Sequence, residues 1–180
     1  NMLSGGTTEG VLPTLNFGSR ASTAFDALKP YGEIPKMCME FWCGWFDHWG
    51  EKHHTRKADN LIPELEEFLN QGASFNMYMF LGGTNFGFTA GANHQKGYEP
   101  TVTSYDYCAP LTEWGDYTDT YHKIRKLLCE KQNIPMAELP ASPKMQNIGT
   151  VKLTESADLF ENLDNIAQKH YSPLPRSMEA

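Results

Sequence analysis

The sequence predicts an α/β fold made of repeated strand–helix units, the repeat that builds parallel sheets and barrels. Two nearly continuous apolar runs, at residues 37–42 and 73–81, have the pattern of parallel strands that are buried on both faces. Segments with apolar residues at helical spacing alternate with these strands up to about residue 132. With 180 residues, the chain is long enough to bury a sizeable core.

The first strand–helix unit lies near the start of the chain. An apolar stretch at residues 11–17 predicts a strand, and residues 20–28 predict the helix that follows it. The next seven residues, 29–35, contain Pro30, Gly32 and Pro35 and predict a turn that ends this helix. The second predicted strand, at residues 37–42, comes directly afterwards.

A longer helix is predicted at residues 55–72. Its apolar positions recur at helical spacing, and they are Leu61, Leu65, Phe68 and Leu69. Thr55 or Asp59 could cap its beginning, and Gly72 stands where a glycine commonly follows the last helical turn. The third strand, at residues 73–81, ends at Gly82 and Gly83.

The second half of the chain is more irregular. A loop of more than 30 residues runs to about Asp116, and a loop of that length is usually functional. An amphipathic helix is predicted at residues 118–132. After Pro135 the segment is polar and rich in proline, with one short strand candidate at 150–153. We therefore expect one domain portion at residues 1–132 and a linker toward another domain at residues 133–180, in a chain cut at both ends.

Composition narrows the classes of partner. The net charge of −7 and the pI near 5.3 argue against a nucleic acid or an anionic membrane surface as partner. No apolar run approaches the roughly 20 residues that a membrane span requires. The four cysteines, Cys38, Cys43, Cys108 and Cys129, form no C-x-x-C pair and are expected to be buried thiols.

The main candidate for chemistry is Glu40, a carboxylate within a run that is otherwise apolar and aromatic. Removing a carboxylate from water is costly, so an acid in such a strand needs a partner or a function. Alternation places Cys38, Glu40 and Trp42 on one face of the strand. Trp42, Trp45 and Trp49 offer flat apolar faces with a polar N–H edge, which suits a sugar ring. A structural glutamate paired with a buried cation is the alternative.

Two tyrosine-containing segments are weaker candidates. Tyr78, on the third strand, could donate a hydrogen bond to a carboxylate, although a plain core strand explains this segment as well. Tyr105 and Tyr107, in the sequence T-S-Y-D-Y, fall on the same side of an extended piece and could donate to sugar hydroxyls or simply pack.

Two other kinds of site receive less support. The potential zinc ligands Cys38, Cys43, His48, His53 and His54 lie close in sequence, but they form neither an H-E-x-x-H pattern nor paired C-x-x-C motifs. A serine hydrolase would need a G-x-S-x-G elbow, and the sequence has none.

Three segments together resemble a known family. Residues 39–50 (M-E-F-W-C-G-W-F-D-H-W-G), 78–86 (Y-M-F-L-G-G-T-N-F) and 103–107 (T-S-Y-D-Y) are similar, in order and spacing, to the conserved blocks of glycoside hydrolase family 35, the β-galactosidases. The resemblance implies a (β/α)8 TIM barrel and retaining hydrolysis of terminal β-linked galactose without a metal or organic cofactor. Residues 151–179 resemble the family's connection toward its β-sandwich domains.

The same resemblance assigns roles to individual residues. Glu40 falls on the family's nucleophile, and Trp45, Tyr78 and Tyr107 fall on positions that line the galactose pocket. Trp42 is also expected to bind substrate, although it stands where relatives carry tyrosine. The family implies a galactoside as substrate and an extracytoplasmic location, which is secreted, periplasmic or lysosomal.

One departure from the family pattern limits what the chain can do alone. The family's acid/base lies in an E-N-E-Y-G block on an earlier strand, and this sequence has no such block. The chain therefore resembles the C-terminal part of the barrel, about three or four of eight strand–helix units. We expect it to need the missing N-terminal half of the barrel or self-association. The alternative function is a non-catalytic galactoside-binding or structural fragment.

Overall fold

The computed structural model of the chain describes residues 6–86 and 90–174. The first part consists of β1 (Leu15–Phe17), α1 (Ala21–Asp26), β2 (Met37–Trp42), α2 (Ala58–Asn70) and β3 (Ser74–Tyr78). A long connection that contains β4 (Ala92–Asn93) and β5 (Glu99–Pro100) leads to α3 (Asp119–Gln132), and α4 (Leu163–Ile166) is a single turn near the end. The predicted strand–helix alternation is confirmed.

The three main strands form one parallel sheet in the order β1-β2-β3, with β2 in the middle. Phe17 pairs with Phe41 across the first interface, and Trp42 pairs with Tyr78 across the second. All three strands therefore end at the same edge of the sheet. Side chains at the end of β2, including Glu40, are brought next to residues that follow β1 and β3.

The predicted alternation in β2 is only partly correct. Cys38 and Phe41 are both fully buried although three positions separate them, and the pairing of β2 shifts register between them. A bulge of this kind adds a residue and reverses the side to which later side chains point. Cys38 therefore shares the buried face of Phe41, whereas Glu40 and Trp42 stay together as predicted.

Helices α1 and α2 cover the buried face of the sheet, and aromatic rings fill the space between them. Ring centroids in this cluster lie 5.4 to 6.3 Å apart, mostly in tilted or edge-to-face arrangements. Such pairs each add about 0.5–1.5 kcal/mol beyond the burial of their area. The cluster fixes the central strand against the helices and consists of Phe17, Phe25, Phe41, Phe68 and Phe75.

The predicted helices are present, but α1 and α2 are shorter at both ends than predicted. The N-cap of α2 is Lys57, which makes no side-chain capping hydrogen bond, so both predicted caps, Thr55 and Asp59, are wrong. Asp59 lies instead in the first turn and pairs with Lys123 of α3 at 2.6 Å. Gly72 follows the helix in a left-handed conformation, with φ of 63°, as predicted.

Helix α3 has a side-chain cap. Thr118 is its N-cap, and the Thr118 hydroxyl oxygen accepts a hydrogen bond from the Tyr121 backbone N–H at 3.2 Å. Ile124 and Leu127 point into the core, so the predicted amphipathic helix at residues 118–132 is confirmed.

The long connection between β3 and α3 has structure of its own. Ala92 and Asn93 pair in antiparallel fashion with Glu99 and Pro100. The loop after β2 joins this hairpin through the Trp49 N–H, which donates to the Pro100 carbonyl at 2.9 Å. Residues 87–89 of the predicted loop lie outside the described residues.

The segment after α3 is almost entirely exposed. The predicted strand at residues 150–153 is wrong, because these residues form no strand and pair with no strand among those described, and Val151 and Leu153 face solvent. A strand is stable only when a neighbour satisfies its backbone groups. The proposed linker and β-sandwich remain predictions. In the described part of the chain, no helix has the length and apolar character to cross a membrane.

Two glycines let the long connection approach the strand ends closely. A Cβ atom on Gly44 would lie 1.9 Å from the Tyr107 carbonyl oxygen, and one on Gly82 would lie 1.6 Å from the Tyr105 carbonyl oxygen. Both distances are far inside van der Waals contact. Only glycine fits at these positions while residues 105–107, here called the tyrosine segment, stay in place.

We predict that Gly82→Ala destabilises the protein by about 1–3 kcal/mol, because the new methyl group must displace the backbone of the tyrosine segment. The free energy of unfolding in urea measures this loss. Gly91→Ala is the matched control, since its Cβ would meet only the Thr101 hydroxyl at 4.0 Å. Equal unfolding midpoints for the two variants would contradict the prediction.

Candidate active site

Glu40 lies near the carboxyl end of the central strand and is partly exposed. The Trp42 indole N–H donates a hydrogen bond to Glu40 Oε2 at 3.0 Å. The two side chains reach each other because residues two apart on a strand point to the same face. This bond holds the carboxylate in one orientation at the edge of the sheet.

The structure brings the predicted aromatic residues together around this carboxylate. The rings of Trp42 and Trp45 meet edge to face at 5.3 Å, and Trp45 lies 6.1 Å from Tyr107. Tyr107 meets Tyr78 at 5.4 Å, also edge to face. Glu40 and the four aromatic residues predicted to bind substrate therefore form one connected cluster, contributed by β2, β3 and the tyrosine segment.

Tyr105 also belongs to this cluster. Its ring stacks on Tyr107 at 5.4 Å and on Phe46 at 5.6 Å, and its hydroxyl lies 3.4 Å from the Tyr78 hydroxyl. The sequence pointed to it through the spacing of Tyr105 and Tyr107, which predicted that both fall on one side. The stacked rings confirm that placement.

The members of the cluster differ in exposure. Trp45 is 40% exposed, whereas Tyr107 is only 1% exposed and forms the wall behind its neighbours. Burial raises the pKa of Tyr105 and of Tyr107 well above the usual tyrosine range, and the charge of Glu40 adds to this effect. Both phenols therefore stay protonated and can donate hydrogen bonds.

Arg56 ties the strand ends together and was missed by the sequence analysis. Its guanidinium donates to the Trp42 carbonyl at 2.9 Å and to the Gly18 carbonyl at 3.2 Å. These carbonyls lie at the ends of β2 and β1. An arginine just before a helix carries no local signal for this role, because its partners come from distant parts of the chain.

The two buried cysteines beside the site lack the thiolate character of a nucleophile. Cys43 is buried, and its thiol lies 3.0 Å from the Met79 carbonyl oxygen. Burial raises the pKa of Cys43 to about 12 and that of Cys38 to about 11, so both thiols are neutral. Cys108 and Cys129 are also free and are only partly buried, which corrects the expectation of four buried thiols.

The histidines considered as metal ligands pair with carboxylates and an amide instead. His48 lies 2.9 Å from a Glu51 carboxylate oxygen and 2.8 Å from the Asn93 side-chain oxygen. His53 and His54 both face Asp47. Within residues 6–86 and 90–174, no three ligating side chains converge in the way a metal ion would need.

The other acidic side chains near the site have polar partners of their own. Glu113 accepts hydrogen bonds from the Thr84 and Ser104 hydroxyls at 3.0 and 2.9 Å. Partial burial raises the pKa of Asp47, but hydrogen bonds from His53 and His54 outweigh it and lower the pKa to about 2. These carboxylates organise the loops around the site.

Comparison with known proteins identifies sequences similar to this chain. A sequence model of glycosyl hydrolases family 35 matches residues 1–131. Beta-galactosidase-1-like protein 3 of Rattus norvegicus is 39% identical over 97% of the chain, and the match covers 28% of that relative. The beta-galactosidase of Xanthomonas manihotis is 40% identical over 91% of the chain, covering 28% of the relative. The human beta-galactosidase is 38% identical over 88% of the chain, covering 24% of the relative.

The chain thus spans about a quarter of the length of these curated relatives. The family match includes the central strand, the aromatic cluster and the tyrosine segment, and it ends within α3. The chain belongs to family 35 of the glycosyl hydrolases.

Proposed function

We propose that this chain forms part of the active site of a retaining β-galactosidase, in which Glu40 is the nucleophile. The observation behind this assignment is the hydrogen bond that the Trp42 indole N–H donates to the Glu40 carboxylate. This carboxylate lies near the end of the central strand, among aromatic rings. Two of the relatives described above have the name beta-galactosidase. The carboxyl edge of a parallel sheet is also where barrel enzymes place their catalytic groups.

In the proposed reaction, a Glu40 carboxylate oxygen attacks the anomeric carbon of a terminal β-linked galactose. The bond to the leaving oxygen breaks, and a second carboxylic acid gives that oxygen its proton. Water then cleaves the galactosyl–Glu40 ester, with the second group acting as base. Trp42 supports the carboxylate through its indole N–H and orients the attacking oxygen.

The aromatic residues have complementary roles in this proposal. Trp45 is the exposed ring and offers a flat face for the C–H side of the sugar, as ring stacking requires. Tyr78 is partly exposed and can donate to a hydroxyl. Tyr107, which is buried behind these residues, needs to reach the sugar only through its hydroxyl.

The proposal assigns the acid/base to a part of the protein outside this chain. A retaining enzyme needs two carboxyl groups about 5–5.5 Å apart. The outer edges of β1 and β3 have no strand partner among the described residues, and Met39 on the central strand is 45% exposed. The missing N-terminal half of the barrel would cover these surfaces. On the same resemblance, we propose an extracytoplasmic location.

We predict that Glu40→Gln in the complete enzyme abolishes covalent trapping by a fluorinated galactoside. Glutamine keeps the shape of the side chain but cannot form the glycosyl ester. Mass spectrometry of the intact protein measures the added galactosyl group. The matched control is Glu33→Gln, which removes an exposed carboxylate. Continued labelling of the Glu40 variant would exclude Glu40 as nucleophile.

Trp42→Phe should lower kcat/KM roughly tenfold, since it removes one charge-assisted hydrogen bond to the nucleophile but keeps an aromatic ring beside Trp45. Steady-state hydrolysis of a nitrophenyl galactoside measures the change. Trp114→Phe, at an exposed loop position, is the control for loss of an indole N–H. An unchanged kcat/KM in the Trp42 variant would show that the bond has no catalytic role.

The isolated 180-residue chain should be inactive toward nitrophenyl galactosides and should self-associate, because its open sheet edges can pair with other chains. Size-exclusion chromatography and an activity assay together test this expectation. An active, stable monomer would refute it. Inactivity of the complete enzyme as well would favour the non-catalytic binding or structural fragment.

A further inference from the structure

A cluster of titratable groups lies on the loop after β2, beside the aromatic residues. Asp47 accepts hydrogen bonds on both carboxylate oxygens: His53 Nδ1 lies 2.5 Å from Oδ2, and His54 Nδ1 lies 2.7 Å from Oδ1. The His54 backbone N–H also donates to Oδ1 at 2.9 Å. The Asp47 side chain is only 13% exposed, so this arrangement is partly removed from water.

The second ring nitrogen of His53 faces a different part of the chain. His53 Nε2 lies 3.5 Å from Asp106 Oδ2, an ion-pair distance that is longer than a hydrogen bond. Asp106 stands between Tyr105 and Tyr107, and Asp47 stands two residues after Trp45. His53 thus joins the two segments that contribute the aromatic wall of the site.

We propose that His53 is a positioning residue, whose imidazolium bridges Asp47 and Asp106 and so holds the tyrosine segment against Trp45. This proposal rests on the proposed function only for the identity of the ligand, a galactoside, that the aromatic wall would bind. His53 itself does not touch the reacting atoms. It acts through the placement of Tyr105 and Tyr107.

The bridge requires the protonated form of His53. A carboxylate can only accept hydrogen bonds, and a neutral imidazole has a single N–H. Only the imidazolium presents an N–H and a positive charge to Asp47 and Asp106 together. The neutral ring would turn a lone pair toward one carboxylate, and that contact would become repulsive.

The charges around His53 favour the protonated form. The hydrogen bond to Asp47 raises the pKa of His53 above its usual value, partial burial opposes this effect, and the charge of Asp106 adds to it. His54 shares Asp47, and the neighbouring Cys108 thiol has a pKa raised by burial and is neutral. The Arg56 guanidinium is a permanent positive charge close to Cys108. The bridge is complete below the usual histidine pKa near 6.5 and is lost as the pH rises through the raised value.

The test separates the two contacts of His53 in the complete enzyme. In His53→Asn, the amide takes the place of Nδ1 and still donates to Asp47, but it cannot reach Asp106. Its kcat/KM for a nitrophenyl galactoside should be about fivefold below wild type at pH 5, as expected for an exposed ion pair, and the ratio should approach one at pH 8.5. His54→Asn is the matched control, because the His54 side chain contacts Asp47 but not Asp106.

A second variant and a second measurement complete the test. Asp106→Asn should reproduce the loss of kcat/KM at pH 5. The double variant with His53→Asn should be no less active than either single variant, because each substitution removes the same His53–Asp106 contact. Hydrogen exchange should show faster exchange in the tyrosine segment of His53→Asn at pH 5 than in His54→Asn.

The outcomes distinguish this proposal from the proposed function. If the enzyme is active but the pH profiles and exchange rates of the His53 and His54 variants coincide, the bridge is refuted and the galactosidase assignment stands. If the wild-type protein neither hydrolyses galactosides nor becomes labelled, the assignment fails. Hydrogen exchange alone then decides whether His53 holds the tyrosine segment.

Discussion

The parallel pairing of β2 with a strand on each side is the constraint on which the rest of the structure depends. Parallel strands share one direction, so their carboxyl ends and the loops that follow must meet at one edge. Glu40 and Trp42 come to that edge on the middle strand, and Tyr78 comes with the neighbouring strand. The site is therefore a consequence of topology, and the loops only complete it.

The parts of the fold predicted correctly are those with a local cause. The apolar run at Met37–Trp42 predicted the bounds of β2, and the spacing of leucines predicted α2, because burial and helical period act over a few residues. The bulge after Cys38 and the exposed segment at 150–153 escaped prediction for one reason. Both depend on which strand lies alongside, and that information is not present in a short window of sequence.

The residues of the candidate site were also predictable only where the cause is local in the sequence. Glu40 and its tryptophans stood out because a carboxylate among aromatic residues is unusual within a single strand. Arg56 did not stand out, and His53 was considered only as a metal ligand, since the contacts of each join segments that are distant in the chain. Tyr107 was assigned a direct sugar contact through family resemblance. Its 1% exposure gives it a second task that no motif describes, which is to support the exposed rings.

The electrostatic arrangement around Glu40 supports the proposal that the acid/base comes from outside this chain. Double-displacement hydrolysis requires one ionised carboxylate and one that can be held protonated, and such groups need different environments. Glu113 and Asp47 already accept hydrogen bonds from loop side chains, and the pKa of Asp47 is lowered, which is the wrong direction for an acid. Under the proposed function, the proton donor is therefore a carboxylic acid other than these two. In the same proposal, further barrel strands would pair with the open edges of β1 and β3, so that completing the sheet and supplying the acid would be one event.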